Sequence, residues 1–333
     1  MYETKYHNSD LSKISFLVTG GAGFIGSHIV EYLLKFGAGK VRVLDNLATG
    51  YLKNLEDFSG HKNFEFIEGD IRDLKTCMKV CDKIDIVFHQ AALGSVPRSI
   101  NDPITTNAVN IDGFLNMLVA SRDCNVDRFI YAASSSTYGD SRKLPKVEDQ
   151  IGNPLSPYAV TKYVNELYAK VFELNYNLKT IGLRYFNVFG PRQSPKGAYA
   201  AVIPLFISAA ISNTKIMIDG DGEQTRDFTF VENAVQANIK AALITDKKAF
   251  GQVYNVAIGE NASINQLVNI IEKFSGHSIS KENRQVRKGD VRDSLAEIKK
   301  IKELLGYNPT VKLEEGLKIT YEWFKSHKEF LEK

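Results

Sequence analysis

In the stretch Leu155-Ser156-Pro157-Tyr158-Ala159-Val160-Thr161-Lys162-Tyr163, a tyrosine and a lysine stand four residues apart at the start of a predicted helix. Residues at i and i+4 share one helix face. An ammonium beside a phenol favours the phenolate and would draw a group that titrates near about 10 toward neutrality. Tyr158 is thereby a candidate general base, with Lys162 as its electrostatic partner. Surface helices also carry this pair by chance, so its meaning depends on what the rest of the chain brings to it.

The elements that would position it are legible along the chain. Ile14-Ser15-Phe16-Leu17-Val18-Thr19 is a short apolar run of β-formers that breaks into Gly20-Gly21-Ala22-Gly23-Phe24-Ile25-Gly26 before an amphipathic helix through Phe36. Strand, glycine turn and helix in that order let backbone N–H groups and a helix N-terminus approach a pyrophosphate, where an isolated glycine turn would be only a tight loop. The next strand, Lys40 to Leu44, ends at Asp45, about 20 residues beyond the glycines, the place of an acid that binds a ribose 2′-hydroxyl. A carboxylate there repels a 2′-phosphate and favours NAD, while nearby Arg42 leaves NADP as the alternative.

Strands at Phe64–Ile67 and Ile84–Phe88 lead to Gly69-Asp70-Ile71-Arg72-Asp73 and to His89-Gln90-Ala91-Ala92. A helical stretch from Asp102 to Asn125 precedes a fifth strand, Arg128 to Ala133, which delivers Ser134-Ser135-Ser136-Thr137-Tyr138-Gly139. Ligands of open α/β sheets lie beyond the carboxyl ends of the strands, so these hydroxyls stand where chemistry happens; the alternative is a serine-rich cap. The helix of Tyr158 runs to about Asn175 before a sixth strand at Lys179–Phe186. Alternating strands and helices predict an α/β fold, a doubly wound parallel Rossmann sheet.

Beyond Asn187-Val188-Phe189-Gly190-Pro191-Arg192-Gln193 the alternation fails, and a smaller C-terminal α/β lobe is expected. Its loops include Asp219 to Asp227 and Arg287-Lys288-Gly289-Asp290-Val291-Arg292, and helices are read at Val231–Thr245, Ile264–Phe274, Leu295–Leu305 and Leu313–Phe324. The expected division is a Rossmann domain over 1–187, with a returning segment near 229–258, and a substrate lobe over 188–228 and 259–333. Arginines in glycine-bearing loops suit bidentate phosphate contacts, although most surface arginines are simply solvated.

Composition bounds the remainder. In 333 residues the apolar share of 44% and charged share of 24% are those of a soluble protein, and a net charge of +3 is not gathered into any basic arm. Nucleic acid and membrane surfaces are not suggested. The first thirteen residues are polar and mixed in charge, with no apolar signal core, and no run reaches transmembrane length. Three cysteines make no disulfide framework, and Cys77 and Cys81 have no partners at metal-ligand spacing, so no metal is expected. The thiols fit a reducing cytoplasm.

Taken in order, Thr19 to Gly26, Asp45-Asn46-Leu47, Gly69 to Asp73, Ser134 to Gly139 and Tyr158-x-x-x-Lys162 resemble an extended short-chain dehydrogenase/reductase over nearly the whole chain. Within that family the chain is most similar to UDP-hexose 4-epimerases, through Leu183-Arg184-Tyr185-Phe186-Asn187-Val188-Phe189-Gly190-Pro191, Arg226-Asp227 and Arg287-x-Gly289-Asp290. The resemblance implies that Gly20, Gly23, Phe24, Ile25, Gly26, Asp45, Asn46, Asp70, Ile71 and Ala91 surround NAD, with Lys162 on the nicotinamide ribose. It implies that Ser134 and Ser136 meet the sugar hydroxyl beside Tyr158, that Asn187, Arg226 and Arg287 grip the nucleotide diphosphate, and that Asp290 holds the uridine ribose. Gly94, Ser135, Asn187, Gln193, Ala201 and Ser294 fall where the family lines its sugar pocket, and they resemble the set of enzymes that prefer 2-acetamido sugars, with Ser294 where a tyrosine would crowd the 2-substituent. UDP-N-acetylglucosamine is thus the implied substrate, and a homodimer packed through the helices around Asp102–Asn125 and Pro157–Asn175 the implied assembly. The first twelve residues match nothing in the family pattern.

Rival readings remain on the same scaffold. Dehydratases of the family carry an Asp-Glu pair where this chain has Ser135 and Ser136, and its decarboxylases a glutamate at Ser136. Epimerases for UDP-glucose or UDP-glucuronate stay open. A non-catalytic nucleotide-binding regulator would normally have lost Tyr158 or Lys162.

Overall fold

A computed structural model describes residues 1–195, 201–285 and 291–331. Strand β1 (Ser15–Thr19) feeds α1 (Phe24–Lys35), followed by β2 (Lys40–Asp45), β3 (Phe64–Glu68), α2 (Leu74–Cys81) and β4 (Ile86–His89). Next come α3 (Val96–Asn101), α4 (Pro103–Asn107) and α5 (Gly113–Asp123), then β5 (Arg128–Ser134), α6 (Pro157–Tyr176), β6 (Lys179–Tyr185) and β7 (Val188–Phe189). The C-terminal part holds α7 (Val202–Ser212), β8 (Ile216–Asp219), β9 (Thr225–Arg226), β10 (Thr229–Phe230), α8 (Val231–Leu243) and β11 (Gln252–Val256). It ends with β12 (Ala262–Ser263), α9 (Ile264–Ser275), β13 (Lys281–Arg284), α10 (Lys299–Leu305) and α11 (Leu313–Ser326).

Seven strands form one parallel sheet in the order β11-β6-β5-β4-β1-β2-β3. The chain winds outward from β1 to β3, then returns to β4 and winds the other way, so a crevice opens between β1 and β4 where neighbouring connections diverge. The strands are apolar on both sides because helices cover both faces. On one face α1, α8 and α10 pack a core that includes Val18, Phe88, Ile130, Ile181 and Val235. On the other, α2, α5 and α6 cover Leu17, Val87, Phe129 and Tyr131. A further core, built by α7, α9, α11 and β8 around Phe206, Ile218, Leu267 and Phe324, makes the smaller lobe.

The seventh strand comes from the returning segment: α8 carries the chain back across the sheet, and β11 pairs with β6 from Gln252↔Ile181 to Val256↔Tyr185. Other expectations need correcting. The helical stretch expected at Asp102–Asn125 runs from Pro103 to Asp123, capped by Asp102 and carrying a π turn at Ala108–Asp112 between α4 and α5. The helix expected at Leu295–Leu305 starts only at Lys299, because Leu295 and Ala296 are drawn into pairing with Lys146. Val202–Ser212, for which no element is expected from the sequence, is α7; apolar almost throughout, it shows little contrast between faces. The polar N-terminal segment is packed, with Tyr2 and Leu11 buried and Tyr6 stacked on Tyr32 at 5.3 Å.

Candidate active site

The glycine turn wraps the end of β1. Gly20 sits at φ +69°, and a Cβ there would lie 2.7 Å from the Ala91 nitrogen. At Gly26 a Cβ would lie 2.2 Å from the Gly20 carbonyl oxygen, so helix and turn touch only because neither residue has a side chain. Around this turn opens a cavity of about 580 Å³ lined at the carboxyl ends of β1 to β5 by Gly20, Asp45, Gly69, Ala91 and Ser134. Gly23, Phe24, Ile25, Gly26, Asn46, Ile71, Gly94, Tyr158, Lys162, Asn187 and Gln193 also line it.

Asp45 ends β2 with its carboxylate held by the N–H groups of Ala22 at 2.9 Å and Leu47 at 2.8 Å. Burial pushes its pKa up, and the two backbone donors act against that rise. Arg42 points elsewhere, donating to Glu65 at 2.8 Å and to the Val80 carbonyl at 2.7 Å. Asp70 does not line the cavity itself; it accepts from Arg72 at 2.6 Å and from Asn46 at 2.9 Å, which orients Asn46. The hydrogen bonds from Arg72 hold the Asp70 carboxyl down at about 2.

Tyr158 and Lys162 rise from the first turns of α6, whose start is set by Ser156 accepting from the Ala159 N–H at 3.2 Å and by Pro157 behind it. Lys162 Nζ donates to the Ala132 carbonyl at 2.8 Å and lies 5.9 Å from the centre of the Tyr158 ring. Burial lowers Lys162 to about 8, with Glu166 acting in the opposite direction. The expectation that the lysine draws Tyr158 down is corrected: in the protein alone, desolvation dominates and raises the phenol, and the group opposing it is the hydroxyl of Ser134.

The serine run forms a short directional chain. Ser134 Oγ accepts from Ser136 Oγ at 2.9 Å and from the Ser136 N–H at 3.1 Å. With its oxygen so occupied, the Ser134 hydroxyl hydrogen is left for Tyr158.

A second cavity, of about 240 Å³, meets the first at Ser134 and Asn187. Ser135, Ser136, Tyr138, Lys146, Phe186, Arg226 and Ser294 line it. Asn187 closes β6 at φ +37° and donates from Nδ2 to the Asp227 carbonyl at 3.1 Å. Arg226 Nη1 donates to the carbonyls of Thr225 at 2.8 Å and Arg292 at 2.9 Å. Asp227, buried, accepts from the N–H groups of Ile258 and Gly259, each at 3.1 Å, and desolvation raises it to about 7. Ser294 hangs from the Thr225 carbonyl at 3.1 Å.

Four candidates are not gathered here. Gln193 lies on the first cavity alone, because its Nε2 is turned to the Val188 carbonyl at 3.0 Å. Ala201, exposed at the start of α7, lines neither cavity, since its backbone is spent opening that helix. Arg287 and Asp290 lie outside the described residues. Lys146 and Arg192 join the site without any signal in the sequence, since neither stands at a spacing tied to chemistry. Lys146, 5% exposed, lines the second cavity, and Arg192 lines the first while pairing with Glu31 at 2.7 Å.

Comparison with known proteins places this geometry. The family model described as GDP-mannose 4,6 dehydratase matches residues 17–320. The chain is 38% identical over 316 residues, 93% of its length and 98% of the relative's, to a putative UDP-glucose 4-epimerase of Methanocaldococcus jannaschii. Its structure is similar to that of UDP-N-acetylglucosamine 4-epimerase from Methanobrevibacter ruminantium in complex with UDP-N-acetylmuramic acid, at 41% identity and a TM-score of 0.89 over 94% of this chain and 99% of that one. It is also similar to a UDP-glucose 4-epimerase of Thermus thermophilus in complex with NAD, at 33% identity and a TM-score of 0.84, covering 94% and 99% of the two chains.

Proposed function

Because the chain belongs to the extended short-chain dehydrogenase/reductase family, we propose that it interconverts UDP-N-acetylglucosamine and UDP-N-acetylgalactosamine by epimerising carbon 4. It is an enzyme of the NAD-dependent nucleotide-sugar class, acting as a UDP-sugar 4-epimerase or in a related reaction. The observation that carries the narrower reading is the second cavity, which meets the first at Ser134 and has small hydroxyl side chains, Ser135 and Ser294, on its wall. Space together with hydrogen-bonding groups suits an acetamido substituent; a sugar lacking it leaves polar groups unmatched at about 1–3 kcal/mol.

The residues of the first cavity fit NAD. Gly20 and Gly26 leave the backbone bare for a diphosphate at the start of α1, and Asp45 keeps lone pairs for a ribose hydroxyl. Arg42, already spent on Glu65 and Val80, is not available to a 2′-phosphate, which supports NAD over NADP. The Cβ of Gly26→Ala would press on the Gly20 carbonyl, so we expect this variant to lose most of its NAD on purification while keeping a cooperative thermal transition. Full NAD content in the variant would mean that the turn does not cradle the diphosphate.

When bound, NAD supplies a reversible acceptor for the hydrogen at carbon 4. Tyr158 takes the proton of the 4-hydroxyl, and Ser134, supplied by Ser136, orients that oxygen. Lys162 lends its charge to the phenolate from one helical turn away. Arg226 and Asn187, with Arg287, hold the diphosphate while the 4-keto sugar turns over and presents its other face. Tyr158 then returns the proton. Tight anchoring at the phosphates and looseness at the hexose are what such a turnover needs.

The test is turnover of UDP-N-acetylglucosamine by the full chain, with separation of the epimers; absence of the galacto epimer overturns the reading. A uronate substrate has one observation in its favour. Lys146 is buried on the second cavity, its ammonium bonded to the Ser141 carbonyl and without a carboxylate partner among the described residues. The same assay with UDP-glucuronate decides between them.

We also assign a homodimer. Leu167, Val171 and Leu174 stand exposed along α6, and Ile100 and Ile104 stand exposed on α3 and α4, an apolar face suited to a second copy. Among the described residues no helix is long and apolar enough to cross a membrane. The three thiols are unpaired, and burial pushes Cys77 and Cys81 up to about 12, so neither is a reactive thiolate at neutral pH.

A further inference from the structure

The helix face that presents Tyr158 and Lys162 carries a third ionisable side chain. Glu166 follows Lys162 by four residues, so the three groups climb α6 at successive turns. Both Glu166 and Arg184 are buried, at 8% and 2% exposure. Arg184 grips the carboxylate with both arms, Nε to Oε1 at 2.8 Å and Nη2 to Oε2 at 2.7 Å. Its Nη1 donates to the Glu148 carbonyl at 2.8 Å, and its guanidinium lies 4.9 Å from the centre of the Tyr138 ring. Thr137 Oγ1, bonded to the Ser134 carbonyl, stands 3.5 Å from Glu166 Oε1 and links the pair to the serine run.

Stability alone does not explain this arrangement. Burying two charges carries a desolvation cost that a well-packed apolar pair avoids, and such a replacement is often neutral or stabilising. An apolar pair between α6 and β6 would, however, exert no field on the neighbouring turn. We propose that Glu166 is a positioning residue whose buried carboxylate keeps Lys162 in its ammonium form, making the acid–base apparatus a triad of Tyr158, Lys162 and Glu166 on one helix face. The proposal rests on the roles assigned above to Tyr158 and Lys162.

The surroundings of Lys162 leave few other charges to do this. His89, at the end of β4, is held down at about 3 by burial and is neutral. Tyr131 on β5 is raised well above its ordinary value, and Tyr158 is also raised, so both are neutral in the protein alone. Arg184 on β6 is matched by Glu166 itself. Farther round the same network, burial lowers Lys300 and Glu148 acts against that fall. Burial brings Lys162 down to about 8, and Glu166 is the charge that counters it. A lysine is charged below its pKa and loses its proton as pH rises through it. Removing the carboxylate therefore brings that loss to lower pH.

The experiment is the pH dependence of kcat for the NAD-loaded full chain and its Glu166→Gln variant. The substrate is UDP-N-acetylglucosamine or UDP-glucose, whichever the parent turns over faster. The amide keeps the volume and one acceptor for Arg184. The expected result is an alkaline limb moved to lower pH by about one pH unit relative to the plateau, whatever the plateau's height. A profile lowered evenly at every pH, with its limb unmoved, would show a packing role only and overturn the proposal. If Glu166→Gln does not fold, the neutral pair Glu166→Gln with Arg184→Gln takes its place. It lacks the carboxylate, which stands one turn from Lys162, and with it the guanidinium beyond, so its limb moves in the same direction by a smaller amount, and an unmoved limb overturns the proposal. Failure of the underlying assignment looks different: Tyr158→Phe would then retain the parent rate.

Discussion

Tyr158→Phe is expected to lower the epimerisation rate by about 10³- to 10⁴-fold, at the upper end of what a positioned general base contributes. The substitution removes one oxygen and keeps the ring that lies 5.9 Å from Lys162 Nζ, so NAD content and UDP affinity should change little. Three structural facts converge on this oxygen. Its helix brings Lys162 to the same face, the Ser134 hydroxyl acts against the rise of its pKa, and it lies on the cavity that also holds Gly20 and Asp45. Burial makes the isolated phenol harder to ionise, so the phenolate has to be earned in the loaded site, where the positive charges of Lys162 and the bound cofactor act on it together. The measurement is single-turnover epimerisation by NAD-loaded variant and parent. Retention of most of the parent rate would mean that another group removes the proton.

The second large effect is one of substrate choice. Ser294→Tyr should reduce turnover of UDP-N-acetylglucosamine by about a hundredfold or more while sparing or raising turnover of UDP-glucose, because a ring in a cavity of about 240 Å³ takes the space of the acetamido group. Ser294 is fixed by its N–H bond to the Thr225 carbonyl at 3.1 Å, one residue from Arg226, so its side chain and the proposed phosphate anchor share one piece of backbone. A larger side chain there has no easy retreat. Relative kcat/KM for the two sugars is the quantity to compare. An unchanged ratio would remove Ser294 from the sugar pocket and with it the main support for the acetamido substrate.

The pairing of Tyr158 with Lys162 is legible in the chain as a spacing, whereas the sign of its effect is not. A lysine four residues away suggests a lowered phenol, but whether charge or desolvation prevails depends on how dry the site is, and Lys162 itself is spent on the Ala132 carbonyl. Ser294, by contrast, came from a family pattern. Only the fold shows it on one cavity with Ser135, Lys146 and Arg226.

What the sequence determined by itself was local and periodic. The strand, glycine turn and helix at Ser15–Lys35, the acid ending β2 and the shared face of Tyr158 and Lys162 follow from interactions within a few residues, where backbone preference and helical repeat decide the outcome. The tertiary structure decided what residues far apart do jointly. It set a π turn into the Asp102–Asn125 helical run, turned Gln193 toward the Val188 carbonyl, seated the polar N-terminus through Tyr2 and Leu11, and paired Glu166 with Arg184 on the helix that carries Tyr158. It also assembled the second cavity from side chains drawn from both the sheet and the smaller lobe. Such contacts depend on which surfaces the parallel sheet brings together, and no spacing along the chain encodes the desolvation or the competing partners that each side chain meets there.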